Sequence, residues 1–580
     1  MEKYYTDEQN IQIVLALLKA HKIRKIVASP GTTNMTLVAS MQQDSYFEMY
    51  SSVDERSAAY MACGLAAESG EPVVLSCTGA TASRNYMPGL TEAYYRKLPI
   101  LAITSTQDTS KIGHNIAQVI DRRVLPNDIA KLSVDIPTIR DDDDVWNCEI
   151  KVNKALLELK HHGGGPIHIN LATVYSRNYT TKELPQVRVI DRICIGDEFP
   201  VLPVGRVGVF VGSHIKWNEE ETDVLDRFCA IYDAVVFCDH TSNYKSKYRM
   251  LHSLVTGQEQ LDTELTNLEL LIHIGEVSGN CYLGKFNGKS VWRIGQDGEI
   301  CDTFRKLRYV FEMSEKTFFE YYIKGGKTIS DSCLQNWKSL YRDIYESIPE
   351  LPFSNVWIAS KMAYRIPDDS VIHFGIYNSL RSWDFFELPH SVLSFSNVGG
   401  FGIDGGMSSL VGASFHNKSR IYFGVLGDLA FFYDMNVLGN RHVGNNLRIL
   451  LVNNGKGTEF RQYFHPGSAF GEDADQFISA GGHYGNKSRT LVKHYAEDLG
   501  FEYLSASDKQ EFEQVYERFL TPEITSKPIL FEIFTNNEDE SDAVREIRNI
   551  EKNVKGRARK IASQVLSNKA KDSLKKILGR

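Results

Sequence analysis

The sequence predicts an α/β protein built of three consecutive doubly wound parallel-sheet domains. Three observations predict it. Short apolar runs alternate with amphipathic stretches, the pattern of parallel strands joined by crossover helices. That cycle starts three times, near Asn10, Val204 and Pro349. The chain of 580 residues also suits about three domains of ordinary size.

The first domain is expected over 1–180. Ile11, Val14, Leu15, Leu17 and Leu18 are spaced as one face of a helix over Asn10–Ala20. Lys25–Ser29 reads as a strand closed by Pro30-Gly31, and Pro72–Cys77 and Pro99–Ser105 as two more. Ala58–Ala67 reads as a helix of small residues suited to close packing. Asn178–Val187 is polar and reads as a linker.

The middle domain is expected over 188–335. Its strands are Arg206–Val211, Ala234–Cys238 and Leu268–Ile274, with a helix over Glu219–Tyr232 and a closing linker over Lys324–Ser339. The third domain, 345–545, has strands at Ser370–Phe374, Ser391–Ser394, Arg420–Leu426, Leu447–Val452 and Pro528–Phe534. Residues 546–580 read as a basic helical tail. From Arg545 onward it holds twelve Lys/Arg against three Asp/Glu, which suits a solvated face or an anionic partner.

Composition narrows the function classes. A formal net charge of −8 disfavours a nucleic-acid binder. No apolar run approaches the roughly 18 residues of a membrane span, and Met1–Asn10 lacks a signal-peptide core. Nine cysteines, none in a CxxC pair and none beside a histidine cluster, read as buried reduced thiols, not a zinc site. These readings point to a cytoplasmic protein with no membrane or nucleic-acid partner.

The chemistry is written at strand ends, where open α/β sheets bind ligands. Gly427-Asp428-Leu429 follows one apolar strand, and Asn453-Asn454-Gly455-Lys456-Gly457 ends the next. Glycine lets backbone amides approach a phosphate, and Asp428, the Asn454 amide oxygen and the Lys456 carbonyl make an oxygen shell for Mg²⁺. In the first domain, Glu55 opens the small-residue helix, within Ser52-Val53-Asp54-Glu55-Arg56. The turn Thr78–Ser83 can approach a ligand closely, and His114 can relay protons near neutral pH.

Together these motifs resemble the thiamine-diphosphate (ThDP) enzymes of the acetolactate synthase and pyruvate decarboxylase superfamily. The family pattern is Gly-Asp-Gly followed by Asn-Asn, and Leu429 stands at the third glycine here. Ser29-Pro30-Gly31, Val53–Arg56, Gly64-Leu65-Ala66, Thr78–Ala82 and Gln118 follow in the family's order. The narrower resemblance is to the menaquinone-pathway SEPHCHC synthases, through Ser396–Gly405 and Gly427–Asn436.

The resemblance implies pyrimidine-binding, middle and diphosphate-binding domains, with ThDP and Mg²⁺ as cofactors. It implies Glu55, Gln118 and His114 as catalytic residues, Glu55 promoting activation of the aminopyrimidine. Gly31, Thr78, Gly79, Ser379, Ile403, Gly427, Leu429, Ala430 and Asn454 would join Glu55 against the cofactor, Ile403 propping its bent shape. Asp428, Asn454 and Lys456 would hold the metal. It further implies a homodimer or dimer of dimers with shared active sites.

Three arginines of that branch are replaced, by Thr33, Trp383 and Val398, and Glu459 replaces an apolar pocket residue. Losing one bidentate arginine–carboxylate contact costs about 1.5–3 kcal/mol. Arg381 is the one nearby candidate to compensate. The expectation is therefore a decarboxylase or carboligase that transfers the acyl unit of a small, pyruvate-like 2-oxoacid to an aldehyde or ketone, possibly a sugar. The alternatives are the SEPHCHC reaction itself (2-oxoglutarate plus isochorismate), or a catalytically dead ThDP-fold binding protein. The middle domain carries no flavin signature.

Overall fold

The computed structural model describes residues 4–324, 331–484 and 487–552. Its strands assemble into three parallel sheets flanked by helices. The described residues fall into two compact units. One takes the chain to Glu198 plus Gly298–Glu312, and the other takes the remainder.

The first sheet uses β1 (Lys25–Ala28), β2 (Glu48–Ser51), β3 (Val73–Thr78), β4 (Ile100–Thr106), β5 (Leu132–Ile136) and β6 (Ile167–Ala172). Their order is β2-β1-β3-β4-β6-β5. β4 and β6 are buried along their whole length, as expected of a sheet covered on both faces. One face packs on the helices Gln9–Ala20 and Asp142–Glu158. The other packs on Glu55–Ser69 and Met87–Arg96 through Ala58, Ala59, Ala62 and Ala66. A side chain at Gly89 would sit 2.5 Å from the Ala59 Cβ, so small residues do permit close packing there.

Seven strands follow: β7 (Asp191–Cys194), β8 (Val207–Val211), β9 (Val235–Cys238), β10 (Arg249–Leu251), β11 (Asn267–Ile274), β12 (Asn287–Gly295) and β13 (Leu307–Glu312). In the first unit β7 pairs with β13, Cys194 opposite Glu312. In the second unit the order is β10-β9-β8-β11-β12. The helix Glu219–Tyr232 lies where expected, closed at its start by an Asn218–Glu221 capping box.

The third sheet uses β14 (Val371–Phe374), β15 (Leu393–Ser396), β16 (Tyr422–Gly427), β17 (Leu447–Asn453), β18 (Glu502–Ala506) and β19 (Ile529–Phe534), in the order β15-β14-β16-β17-β19-β18.

Three expectations need correction. The stretch read as a linker contains the helix Ser332–Glu346, which buries Cys333, Leu334, Trp337 and Ile344. The turn at Thr78–Ser83 shrinks to Gly79, because Ala80–Asn85 is helical. Cysteines are not all buried, since Cys281 and Cys301 are exposed. Most of the basic tail, 553–580, lies outside the described residues. Among the described residues no helix is long and apolar enough to cross a membrane.

Candidate active site

In the third sheet the chain runs from β14 out to β15, then returns to β16 on the other side. The crevice between β14 and β16 is therefore a topological switch point, where open sheets take ligands. A cavity of about 240 Å³ opens there. Ser379, Ile403, Gly427, Asp428, Leu429, Ala430, Asn454 and Lys456, the expected ligands of this unit, all line it.

Because β16 and β17 are neighbours, with Gly427 beside Val452, the Gly-Asp and Asn-Asn motifs leave the sheet at one edge. Asp428 is 4% exposed. Its Oδ1 accepts the Leu429 N–H and its Oδ2 the Gly455 N–H, both at 2.7 Å. Burial pushes its carboxyl up to about 7, against the pull of those donors. Gly455 turns the chain with φ of 77°.

The Asn454 side chain donates to Thr458 Oγ1 at 3.2 Å, while its Oδ1 is buried without a partner. An unsatisfied buried acceptor costs about 1–3 kcal/mol, and a hard cation satisfies it. The Lys456 side chain pairs with Asp475. A Cβ built on Gly427 meets nothing within 4 Å, so that face of the turn is open. Buried carboxylate, unpartnered amide oxygen and open glycine fit a metal-bound diphosphate.

The cavity is also lined by Glu540, Glu459 and His465. Glu540 accepts the Thr535 hydroxyl at 2.7 Å and the Asn355 N–H at 3.1 Å. Burial pushes its carboxyl up to about 7. Glu459 is ion-paired with Arg381, and the Asn378 amide, turned with its nitrogen toward Glu459, donates to it at 2.8 Å. Arg381 also lies over the Tyr377 ring at 5.1 Å. His465 Nδ1 accepts the Gly467 N–H at 2.9 Å, which leaves Nε2 to carry the proton of the neutral ring. The sequence singles out Glu459 and Arg381 but signals neither Glu540, in the helix Asn537–Ile547, nor His465.

Trp383 and Val398 are buried and absent from the lining. The Trp383 Nε1–H donates to Asn355 Oδ1 at 3.2 Å. Neither position offers a charge to the cavity.

The other predicted residues belong to the first unit. Its switch point lies between β1 and β3, and the chain there is tightly tied. Thr33 N–H donates to Thr78 Oγ1 at 3.0 Å. The Thr33 hydroxyl donates to the Ser105 carbonyl at 2.7 Å and accepts the Gly79 N–H at 3.1 Å. Buried and committed to these bonds, Thr33 is a structural clasp. Gly31 and Gly79 face close neighbours, and a Cβ at Gly31 would lie 2.7 Å from Thr78 Cβ.

Glu55 is half-buried at the first turn of its helix, whose N-cap Asp54 accepts from Arg56 and Ser57. His114 and Gln118 sit on an exposed loop, Gln118 with φ of 63°. Among the described residues no side-chain hydrogen bond ties either to the first unit's switch point.

Residues 10–124 match the family model for the N-terminal TPP-binding domain of thiamine pyrophosphate enzymes. Curated relatives align over nearly the whole chain. The 2-succinyl-5-enolpyruvyl-6-hydroxy-3-cyclohexene-1-carboxylate synthase of Bacteroides fragilis is 30% identical over 565 residues, 93% of this chain and 99% of the relative. The enzyme of the same name from Phocaeicola vulgatus is 30% identical over 572 residues, covering 93% and 98%. That of Porphyromonas gingivalis is 26% identical over 586 residues, covering 93% and 99%. The chain thus belongs to the thiamine pyrophosphate enzymes, in the family of the 2-succinyl-5-enolpyruvyl-6-hydroxy-3-cyclohexene-1-carboxylate synthases.

Proposed function

We propose that this chain catalyses decarboxylative carbon–carbon bond formation from a 2-oxoacid, with ThDP and Mg²⁺, and that its reaction is that of its named relatives. The full-length similarity supports the menaquinone-branch reaction over the pyruvate-like donor expected from the missing arginines. One observation carries the chemistry: the buried Asp428 and the unpartnered Asn454 oxygen share one cavity at a switch point. A scaffold protein has no use for that pair.

When bound, ThDP supplies the electron sink for the decarboxylated acyl unit. Asp428, Asn454 Oδ1 and the Lys456 carbonyl hold Mg²⁺. Gly427, Leu429 and Ala430 would border the diphosphate, Ser379 would contact the cofactor from the same lining, and Ile403 would prop its bent shape. Glu55 meets the aminopyrimidine, supplied by a second copy of the chain with Gly31, Thr78, Gly79, His114 and Gln118. The exposed apolar side chains beside Glu55 support that assembly: Val53 is 82% exposed, Tyr60 48% and Met61 46%. Cysteines that form no disulfide support a cytoplasmic location.

The Arg381–Glu459 ion pair favours a second reading. Glu459 lines the cavity and neutralises Arg381, so a small 2-oxoacid and a hydroxylated aldehyde or ketone fit better than multiply charged acids. One assay decides. The protein, loaded with ThDP and Mg²⁺, is given 2-oxoglutarate with isochorismate, and in parallel pyruvate with candidate aldehydes and sugars. CO₂ release and product mass are read. Condensation of the first pair is expected. Turnover confined to the second set would overturn the menaquinone reading, and no turnover with either would overturn both.

A further inference from the structure

Within the first unit, apart from the residues of the cofactor motifs, four side chains with metal-binding atoms converge. They come from three places in the chain. His161 and His162 sit in the turn His161–Gly163, Cys194 ends β7 and Glu312 ends β13. His161 Nε2 lies 2.9 Å from Glu312 Oε2, and His162 Nε2 lies 2.8 Å from Glu312 Oε1. Cys194 Sγ lies 3.6 Å from Glu312 Oε2. One ligand atom from each of His161, His162 and Glu312 falls within 4.8 Å of the others. Ligands about 2.1 Å from a tetrahedral zinc stand about 3.4 Å apart, so His161, His162 and Glu312 need little movement to close on one ion, while Cys194, outside that group, must swing its Sγ in from beside Glu312.

Proton placement argues for that ion. His161 Nδ1 faces both Glu158 oxygens at 3.0 Å, while Nε2 faces Glu312. A neutral imidazole has one N–H. With that proton on Nδ1, the bare Nε2 points at a carboxylate oxygen, lone pair against lone pair, and either a second ring proton or a metal ion between them removes the clash. The two rings stack, at 3.7 Å between centroids. A carboxylate on Nδ1 that frees Nε2 is the usual outer-shell arrangement of a metal-binding histidine. Arg192 pairs with Glu158 at 2.8 Å and keeps that carboxylate charged. The turn itself is bent to this end, for His162 takes φ of 46° and Gly163, Gly164 and Gly165 all take positive φ.

We propose that His161 Nε2, His162 Nε2, Glu312 and Cys194 Sγ form a zinc-type divalent metal site, distinct from the Mg²⁺ cradle, with Glu158 as its outer-shell partner. Imidazole, carboxylate and thiolate together suit Zn²⁺ and not Mg²⁺. The site ties the His161–Gly165 turn to the ends of β7 and β13, so its role is structural.

The test uses full-length protein without a histidine tag, in excess Mg²⁺. Zn²⁺ is added, free metal is removed, and bound zinc and the melting temperature are measured. About one Zn²⁺ per chain and a raised melting temperature are expected. Co²⁺ in its place should give the visible bands of a tetrahedral thiolate site. His162→Ala, at an exposed position that folding does not need, and Glu312→Gln should lose the metal, the shift and the bands. Asp428→Ala should keep all three. Binding well below one equivalent, or binding unchanged in His162→Ala, would overturn the proposal and leave an ordinary ion-pair network.

Discussion

Glu540 illustrates what burial does to a single acid in this cavity. Its carboxyl titrates near 7 in the folded protein and near 4.3 in an unfolded chain. As pH rises through that window the unfolded chain gives up its proton first, so folding stability falls until about pH 7 and then levels. The loss is at most roughly 4 kcal/mol. Glu540→Gln removes it. In cofactor-free protein the variant should therefore melt higher than the parent at pH 8, and the two should converge toward pH 4.5. Thermal scans across that range measure it, and a wild-type difference that does not change with pH would refute the assignment. Asp428 adds a slope of the same sign, which remains in the variant. At this scale legibility was split. Asp428 and Asn454 were readable because strand-end motifs place them by local sequence alone. Glu540 and His465 were not, since only tertiary packing brings the helix Asn537–Ile547 and the His465 segment to the cavity; Glu459 and Arg381 stood out in the sequence, but their ion pair did not.

Elements were readable wherever burial leaves an apolar run, as in β3, β4, β11 and β17. Boundaries drifted where turn chemistry intervened. The strand expected at Ser391–Ser394 begins two residues later, because the Val392 N–H closes a turn on the Pro389 carbonyl. The helix Ser332–Glu346 was hidden because Gln335, Asn336, Lys338 and Ser339 surround its apolar stripe and mimic a linker. The two sheet switch points differ in how tightly their first turns are packed, and two glycines measure that. Gly31→Ala drives a methyl into Thr78 and Asn34, so β1 and β3 must part at their ends, costing about 1–3 kcal/mol. Gly427→Ala meets open space and should stay within about 0.5 kcal/mol of the parent. Melting curves of both cofactor-free variants check the contrast, and equal losses would sink it.

At the scale of the whole molecule, the order of domains and the cofactor class were legible, since both follow from motifs in chain order. The substrate was not. Inference from Thr33, Trp383 and Val398 favoured a changed donor, whereas similarity over the full chain favours the relatives' reaction, because lost charges at three positions do not say what replaced them. The proposed shared-site assembly can be tested from where Glu55 and Asp428 lie. Glu55 belongs to one compact unit and Asp428 to the other, so a homodimer with shared sites can be tested by mixing two dead proteins. Glu55→Gln and Asp428→Ala each remove one half of every site, and each alone should be inactive. If a site takes Glu55 from one copy and Asp428 from the other, a mixed dimer has one doubly damaged site and one intact site. Random reassembly makes about half of the dimers mixed, so activity should return to about a quarter of the parent's. If each copy instead builds its own site, every site in the mixture carries one lesion and no activity returns. Co-expression of two differently tagged chains, tandem purification of the mixed dimer and a CO₂-release assay separate these outcomes.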